Sequence, residues 1–458
     1  MNDVIKCKNN ITVFSEEDMD IAFQKTTGKF MEIGKEHKQH ILEEAVFQNI
    51  SKKFSYFEAK EKSKAGKQER MGRLTLLTTQ GCNLRCKYCF AHSGTYGVKK
   101  EVKMSFEVMK DAFLFFLRKF PKGIDLVHFF GGEPMLAFDS IEKFVPWCLE
   151  YCRENSIVPP VFSVVTNGTI MNPHIFAVCN KYKINFVVSV DGNKELNDLT
   201  RVSPAYESVY DIIRSNFQTL NKERNFNIGC ELTINKNHVR HYKKGIVRTW
   251  LDEIEKLGFE YAIVGCAETD NEECALTPED KDIFFQIQRE SIDYFFERFV
   301  QGKKFLSVEI VGMIRQMAMK TTALPCGAGY HSLTITPNGD ISPCYQFYQD
   351  EDFNMGNIYH EDKEKYRKIT NMFMDNEKYK PDACKECWLE NECSVLCKGF
   401  GYNTKGGINQ VCESRCWIYE VAFRRIIWNL LRLSKDKESY HKFITNLYDF
   451  NKQYLYNK

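Results

Sequence analysis

Between residues 74 and 265, short β-branched or aromatic runs alternate with longer amphipathic stretches, a pattern that few folds satisfy. Strand candidates lie at 74–78, 125–130, 161–166, 186–190, 227–234 and 260–264. Helical spacing fills the gaps at 105–119, 139–155, 173–182, 208–222 and 244–257. Alternation of this kind builds right-handed βαβ units around a parallel sheet, so the class is α/β. Six such units make either a partial barrel or an open sheet, and periodicity does not distinguish the two. In both, ligands bind at the C-terminal ends of the strands.

Polar and glycine-bearing motifs stand at those ends. Cys82, Cys86 and Cys89 follow the first strand, within Thr79-Gln-Gly-Cys-Asn-Leu-Arg-Cys-Lys-Tyr-Cys-Phe90. Gly131-Gly132-Glu133-Pro134 follows the second, Thr166-Asn167-Gly168 ends the third and Ser189-Val-Asp191-Gly192 ends the fourth. Asn-Gly and Asp-Gly alone are generic turn signals. Four motifs at successive strand ends, behind a cysteine loop, exceed what turn chemistry explains. Three thiolates on one loop can hold three irons of a 4Fe–4S cube and leave the fourth iron open. Zinc is the alternative, but it normally takes four protein ligands, in pairs of the CxxC kind.

CxxxCxxC with an aromatic residue, Tyr88, before its last cysteine resembles the signature of radical S-adenosylmethionine (SAM) enzymes. The resemblance implies a partial (β/α)6, TIM-like radical SAM barrel. It also implies a cluster on Cys82, Cys86 and Cys89. By the same resemblance Gly131, Gly132 and Glu133 meet the methionyl amino group of SAM, with Asn167 beside them. Ser189 and Asp191 contact its ribose or carboxylate, Arg201 of Asp198-Leu-Thr-Arg201 grips the carboxylate, and Tyr88 packs near the adenine. The plain alternatives are a surface ion pair for Arg201 and ordinary loop packing for Tyr88.

Beyond Leu324 the cysteines recur as Cys326, Cys344, Cys384, Cys387, Cys393, Cys397, Cys412 and Cys416. Their spacing resembles the SPASM domain, which carries two auxiliary 4Fe–4S clusters, for three 4Fe–4S clusters in all. The pattern implies one auxiliary cluster on Cys384, Cys387, Cys393 and Cys412, with Cys416 in reserve. The other takes Cys326, Cys344 and Cys397, one ligand short, because 327–343 contains no cysteine. Either Cys266 or Cys274 folds in, or the iron is open to a substrate thiolate, the soft ligand such an iron prefers.

Pro325-Cys-Gly-Ala-Gly-Tyr and the run through Pro343-Cys-Tyr-Gln-Phe347 resemble thioether-forming sactipeptide and ranthipeptide maturases, of the six-cysteine-peptide and freyrasin maturase kind. The implied activity is cysteine-to-carbon crosslinking in a ribosomally made, cysteine-containing precursor peptide with a leader. A 5′-deoxyadenosyl radical abstracts hydrogen, and a flavodoxin or ferredoxin supplies electrons. The alternatives are an anaerobic sulfatase maturase making formylglycine and a zinc-binding scaffold without catalysis.

Composition fits these readings. Eighteen cysteines and no export signal argue for a reducing cytoplasm and metal ligation. A net charge of +2 predicts neither a nucleic-acid nor a membrane partner. The expected layout is a small N-terminal segment at 1–70, a radical SAM core at 71–300, a SPASM domain at 301–420 and C-terminal helices at 421–458. Within 1–70, strands at 4–8 and 11–14 and a helix near 36–45 suggest a leader-binding module or a capping extension. Residues 55–73 read as a solvated linker or lid. Cys7, Cys148, Cys152, Cys179 and Cys230 read as core or surface residues.

Overall fold

The computed structural model describes residues 4–8, 10–34, 44–66, 68–220, 224–303, 305–324, 326–348, 350–375, 378, 380–394 and 396–452. Six parallel strands form the centre: β5 (Met71–Thr79), β6 (Ile124–Gly131), β7 (Val161–Thr166), β8 (Asn185–Ser189), β9 (Ile228–Ile234) and β10 (Tyr261–Cys266). They pair in chain order, with helices as crossovers. Inward side chains from all six strands, including Arg73, His128, Val165, Val187, Glu231 and Ile263, line one cavity. No ladder joins the outermost strands among the described residues. The sheet is therefore a partial barrel, the point that periodicity left open.

Local sequence explains the element ends. The Pro173–Tyr182 helix begins where the Asn172 side chain accepts from the Ile175 amide with proline in the first turn, and ends at Lys183 in left-handed conformation. Ser105 caps the Phe106–Lys119 helix through the Val108 amide, and Arg118 and Lys119 complement its last turn.

The C-terminal half is not a detached unit. After β11 (Leu306–Ser307), which pairs with β10, the strand β12 (Ser332–Ile335) runs parallel to β5, with Ser332 opposite Arg73. It then turns back into β13 (Ile341–Ser342). The segment after Leu306 thus extends the barrel wall, with β12 lying beside β5.

The N-terminal residues form a four-stranded antiparallel sheet: β1 (Val4–Lys8), β2 (Ile11–Glu16), β3 (Met19–Gln24) and β4 (Lys29–Ile33). The helix Glu44–Phe54 packs on it through Ile50 and Phe54. Most of the helix expected near 36–45 lies outside the described residues. Glu16, 1% exposed at its side chain, is gripped by Arg289 at 2.6 Å and by Arg425 at 3.3 Å, with Arg424 at 3.7 Å. Trp388 packs against Phe14 and Phe23 with ring centroids 5.4 Å apart. The sheet is therefore anchored to the helices Lys281–Val300 and Glu413–Ser434 and to the cysteine-rich segment. Cys148, Cys152, Cys179 and Cys230 are buried; the side chain of Cys7 lies outside the description. No described helix is long and apolar enough to cross a membrane.

Candidate active site

The loop after β5 brings Cys82, Cys86 and Cys89 to the wall of a cavity of about 410 Å³ at the C-terminal ends of the strands. The backbone there is packed too closely for side chains. A Cβ on Gly132 would stand 2.1 Å from the Gly81 carbonyl oxygen, and one on Gly94, at φ +80°, would stand 2.4 Å from the Cβ of Cys82. Glycine at both positions lets the cysteine loop close on the loop after β6. Burial pushes Cys82 up to about 11 and Cys86 up to about 12. Such thiols release their protons when a cation takes the proton's place. Three soft donors on one loop, in a cavity with no fourth cysteine offered by that loop, suit a cluster with one open iron.

The expected SAM-side residues divide into two groups. Tyr88, Gly131, Gly132, Asn167, Ser189 and Arg201 line the cavity. The Asn167 amide donates to Asn83 Oδ1 at 2.8 Å and reaches within 3.8 Å of Cys82 Sγ. Glu133 and Asp191 are both fully buried, behind the residues that line the cavity. Protein donors occupy them. Glu133 accepts from the Met135 amide at 3.0 Å, Thr166 Oγ1 at 2.7 Å and the Asn167 amide at 2.7 Å. Burial still pushes Glu133 up to about 6 against those bonds. Asp191 takes the Arg201 guanidinium at 3.0 and 3.3 Å and the Tyr88 hydroxyl at 2.5 Å. Burial opposes the charge on Arg201, but Asp191 outweighs it and holds the group firmly protonated. Tyr88 therefore braces this pair as well as lining the cavity.

The auxiliary cysteines also converge. Cys384, Cys387, Cys393 and Cys416 line one cavity of about 440 Å³. Cys412 does not line it, its thiol donating to Glu268, whereas Cys416, the reserve from the sequence, does. The reason is helical geometry, since Cys416 lies one turn inside the helix Glu413–Ser434 that Cys412 caps. Cys326, Cys344 and Cys397 line a second, small cavity whose wall holds no further cysteine, histidine or carboxylate among the described residues. Neither Cys266 nor Cys274 reaches it.

A cluster that sequence reasoning missed lies between these sites. Cys266, Cys412 and Ser414 all donate to Glu268, and Arg415 stands 3.6 Å from it. Glu268 and Tyr345 line both the inner cavity and an outer one of about 970 Å³. Tyr345 directly follows Cys344 and stacks on Phe130 with centroids 4.5 Å apart. Its adjacency to a cysteine was the only available signal; the Glu268 group had none.

A parallel barrel with three cysteines at its mouth and eight more in a following segment has the makings of a radical SAM protein with an iron–sulfur extension. The comparisons agree. A family model for the radical SAM superfamily matches residues 76–218, and one for the SPASM iron–sulfur cluster-binding domain matches residues 326–388. The chain carries a radical SAM domain and a SPASM domain and is similar to SPASM-type maturases, which sets aside a zinc-binding scaffold without catalysis. A cysteine-type anaerobic sulfatase-maturating enzyme of Clostridium perfringens is 26% identical, over 76% of this chain and 95% of that one. The radical SAM cyclopropyl synthase TigE of Paramaledivibacter caminithermalis is 21% identical, over 78% and 74%. In fold, AdoMet-bound native anSMEcpe superposes with a TM-score of 0.64 at 21% identity, covering 78% of this chain and 98% of that chain. Streptococcus suis SuiB bound to its precursor peptide SuiA gives 0.50 at 15% identity, covering 89% and 99%.

Proposed function

We propose that this radical SAM maturase joins a cysteine sulfur of a precursor peptide to a carbon of the same peptide. The carrying observation is that Cys326, Cys344 and Cys397 line one cavity with no fourth donor among the described residues, while Cys384, Cys387, Cys393 and Cys416 line another. An incomplete thiolate set suits a ligand brought by the substrate. When bound, the clusters and SAM would supply one-electron reductive cleavage and hydrogen abstraction, and an acceptor for the surplus electron.

The chain's own part is binding and exclusion. Gly131, Gly132, Ser189 and Arg201 present backbone, hydroxyl and guanidinium groups to SAM, with Tyr88 and Asp191 holding Arg201 in place. The peptide enters by the outer cavity, between Phe90, Tyr345, Phe400 and Trp417. The N-terminal sheet, with its outer edges β1 and β4, would take a leader as an added strand. A flavodoxin or ferredoxin would serve as the reductant.

Formylglycine formation is the second reading, favoured by the likeness to the sulfatase-maturating enzyme over most of its length. One experiment separates the two. The anaerobically reconstituted enzyme is given SAM, dithionite and cysteine-containing peptides, and the products are analysed by mass spectrometry. A peptide lighter by two hydrogens whose thiol resists alkylation supports the thioether reading. An aldehyde captured by hydrazide overturns it.

A further inference from the structure

Among the charged groups of the inner cavity, Arg73 has no counter-ion. It sits on β5, low in the barrel and facing inward, and only its Nε is used, donating to Ser332 Oγ at 3.0 Å. Among the described residues no carboxylate lies within ion-pair distance of it. The other charged groups are engaged elsewhere: Arg201 holds Asp191, and Arg415 lies against Glu268. Glu231 lines the same cavity, but the charges that act on it are those of Arg201, Asp191 and Arg415. The neighbouring His128 binds Ser163 at 2.7 Å and stays neutral, since burial and the Arg73 charge both push it down, to about 3. No hydrogen bond to either terminal nitrogen of Arg73 is formed among the described residues, and Arg73 lines the cavity that Cys82, Cys86 and Cys89 also line, its charge also reaching Cys344 and Tyr345.

A half-buried guanidinium without a partner is costly to keep, and its planar fork matches a carboxylate in two places. We propose that Arg73 binds a carboxylate of the peptide substrate inside the barrel and so sets the register in which the peptide meets the reacting site. This rests on the reading of the chain as a peptide maturase. It adds a specificity requirement to that reading: the segment that enters the barrel carries an anionic group.

The test uses reconstituted holoenzyme with SAM bound. The probes are acetylated heptapeptide amides with one cysteine and one aspartate walked through the other positions, each paired with its asparagine counterpart. A set of free-acid peptides distinguishes a chain-terminal carboxylate from a side chain. Dissociation constants are read by fluorescence anisotropy. At one or two positions aspartate, or the free terminus, should bind about tenfold tighter, or about 1.4 kcal/mol. Arg73→Gln should abolish that preference, and Arg73→Lys should keep part of it, with unfolding midpoints showing that both variants fold. Three outcomes overturn the proposal: no aspartate or free-acid preference at any position, a preference that survives Arg73→Gln, or an Arg73→Gln variant that loses SAM affinity instead. Thioether formation without the preference would sink this inference alone. The preference together with an aldehyde product would sink only the thioether reading.

Discussion

Arg201 shows how one side chain serves two demands. Its fork is held by Asp191, yet the residue lines the cavity. Lysine would keep the charge but lose the planar fork. We therefore expect Arg201→Lys to weaken SAM binding about tenfold in equilibrium dialysis; unchanged affinity would leave Arg201 only its structural pairing. Glu133 gives a pH prediction. Its group titrates near pH 6, and the ionised form accepts the Met135 and Asn167 amides more strongly than the neutral acid. Native-state exchange protection at those two amides should fall as pH drops through about 6. Protection that is flat across that range would show that the bonds do not depend on the charge. Spacing placed Glu133 and Asp191 at strand ends but not their protein partners, because which amide or guanidinium meets a carboxylate is decided by packing.

At the scale of elements, the helix Glu413–Ser434 carries two tests. Cys416 lies with Cys384, Cys387 and Cys393, whereas Cys412 donates to Glu268. Cys416→Ser should therefore lower iron by about four per chain after reconstitution, and Cys412→Ser should leave it unchanged. The reverse result would restore Cys412 as the ligand. The same helix meets the N-terminal sheet through Glu16. Glu16→Ala leaves buried Arg424 and Arg425 without their shared carboxylate and should cost about 3–5 kcal/mol in urea unfolding. A cost under about 1 kcal/mol would place the pair among screened surface contacts. The sequence showed the strands of this N-terminal segment, but not the contact, since residue 16 and residues 424–425 are distant in the chain.

For the whole molecule, the separation of barrel and cysteine-rich segment matters less than their joint wall. β12 pairs with β5, and Tyr345 bridges the two cavities. Reconstitution should therefore bring about twelve irons per chain and raise the unfolding temperature of barrel and extension together, since ligands that bind only the folded state stabilise it. Two well-separated calorimetric transitions, with only the later one moved by iron, would show two independent units.

Local chemistry determined much of this protein. Strand and helix alternation, caps such as Asn172, and the spacing of cysteines are encoded within short windows, so the parallel sheet and the cysteine loops were legible directly. Curvature into a partial barrel, the place of Cys416 rather than Cys412 in the four-cysteine cavity, the thiol–carboxylate group at Glu268 and the fork of Arg73 without a counter-ion were decided only by the tertiary structure. Each depends on residues that are distant in sequence meeting across a packed interior, and no one-dimensional spacing records which of them arrive.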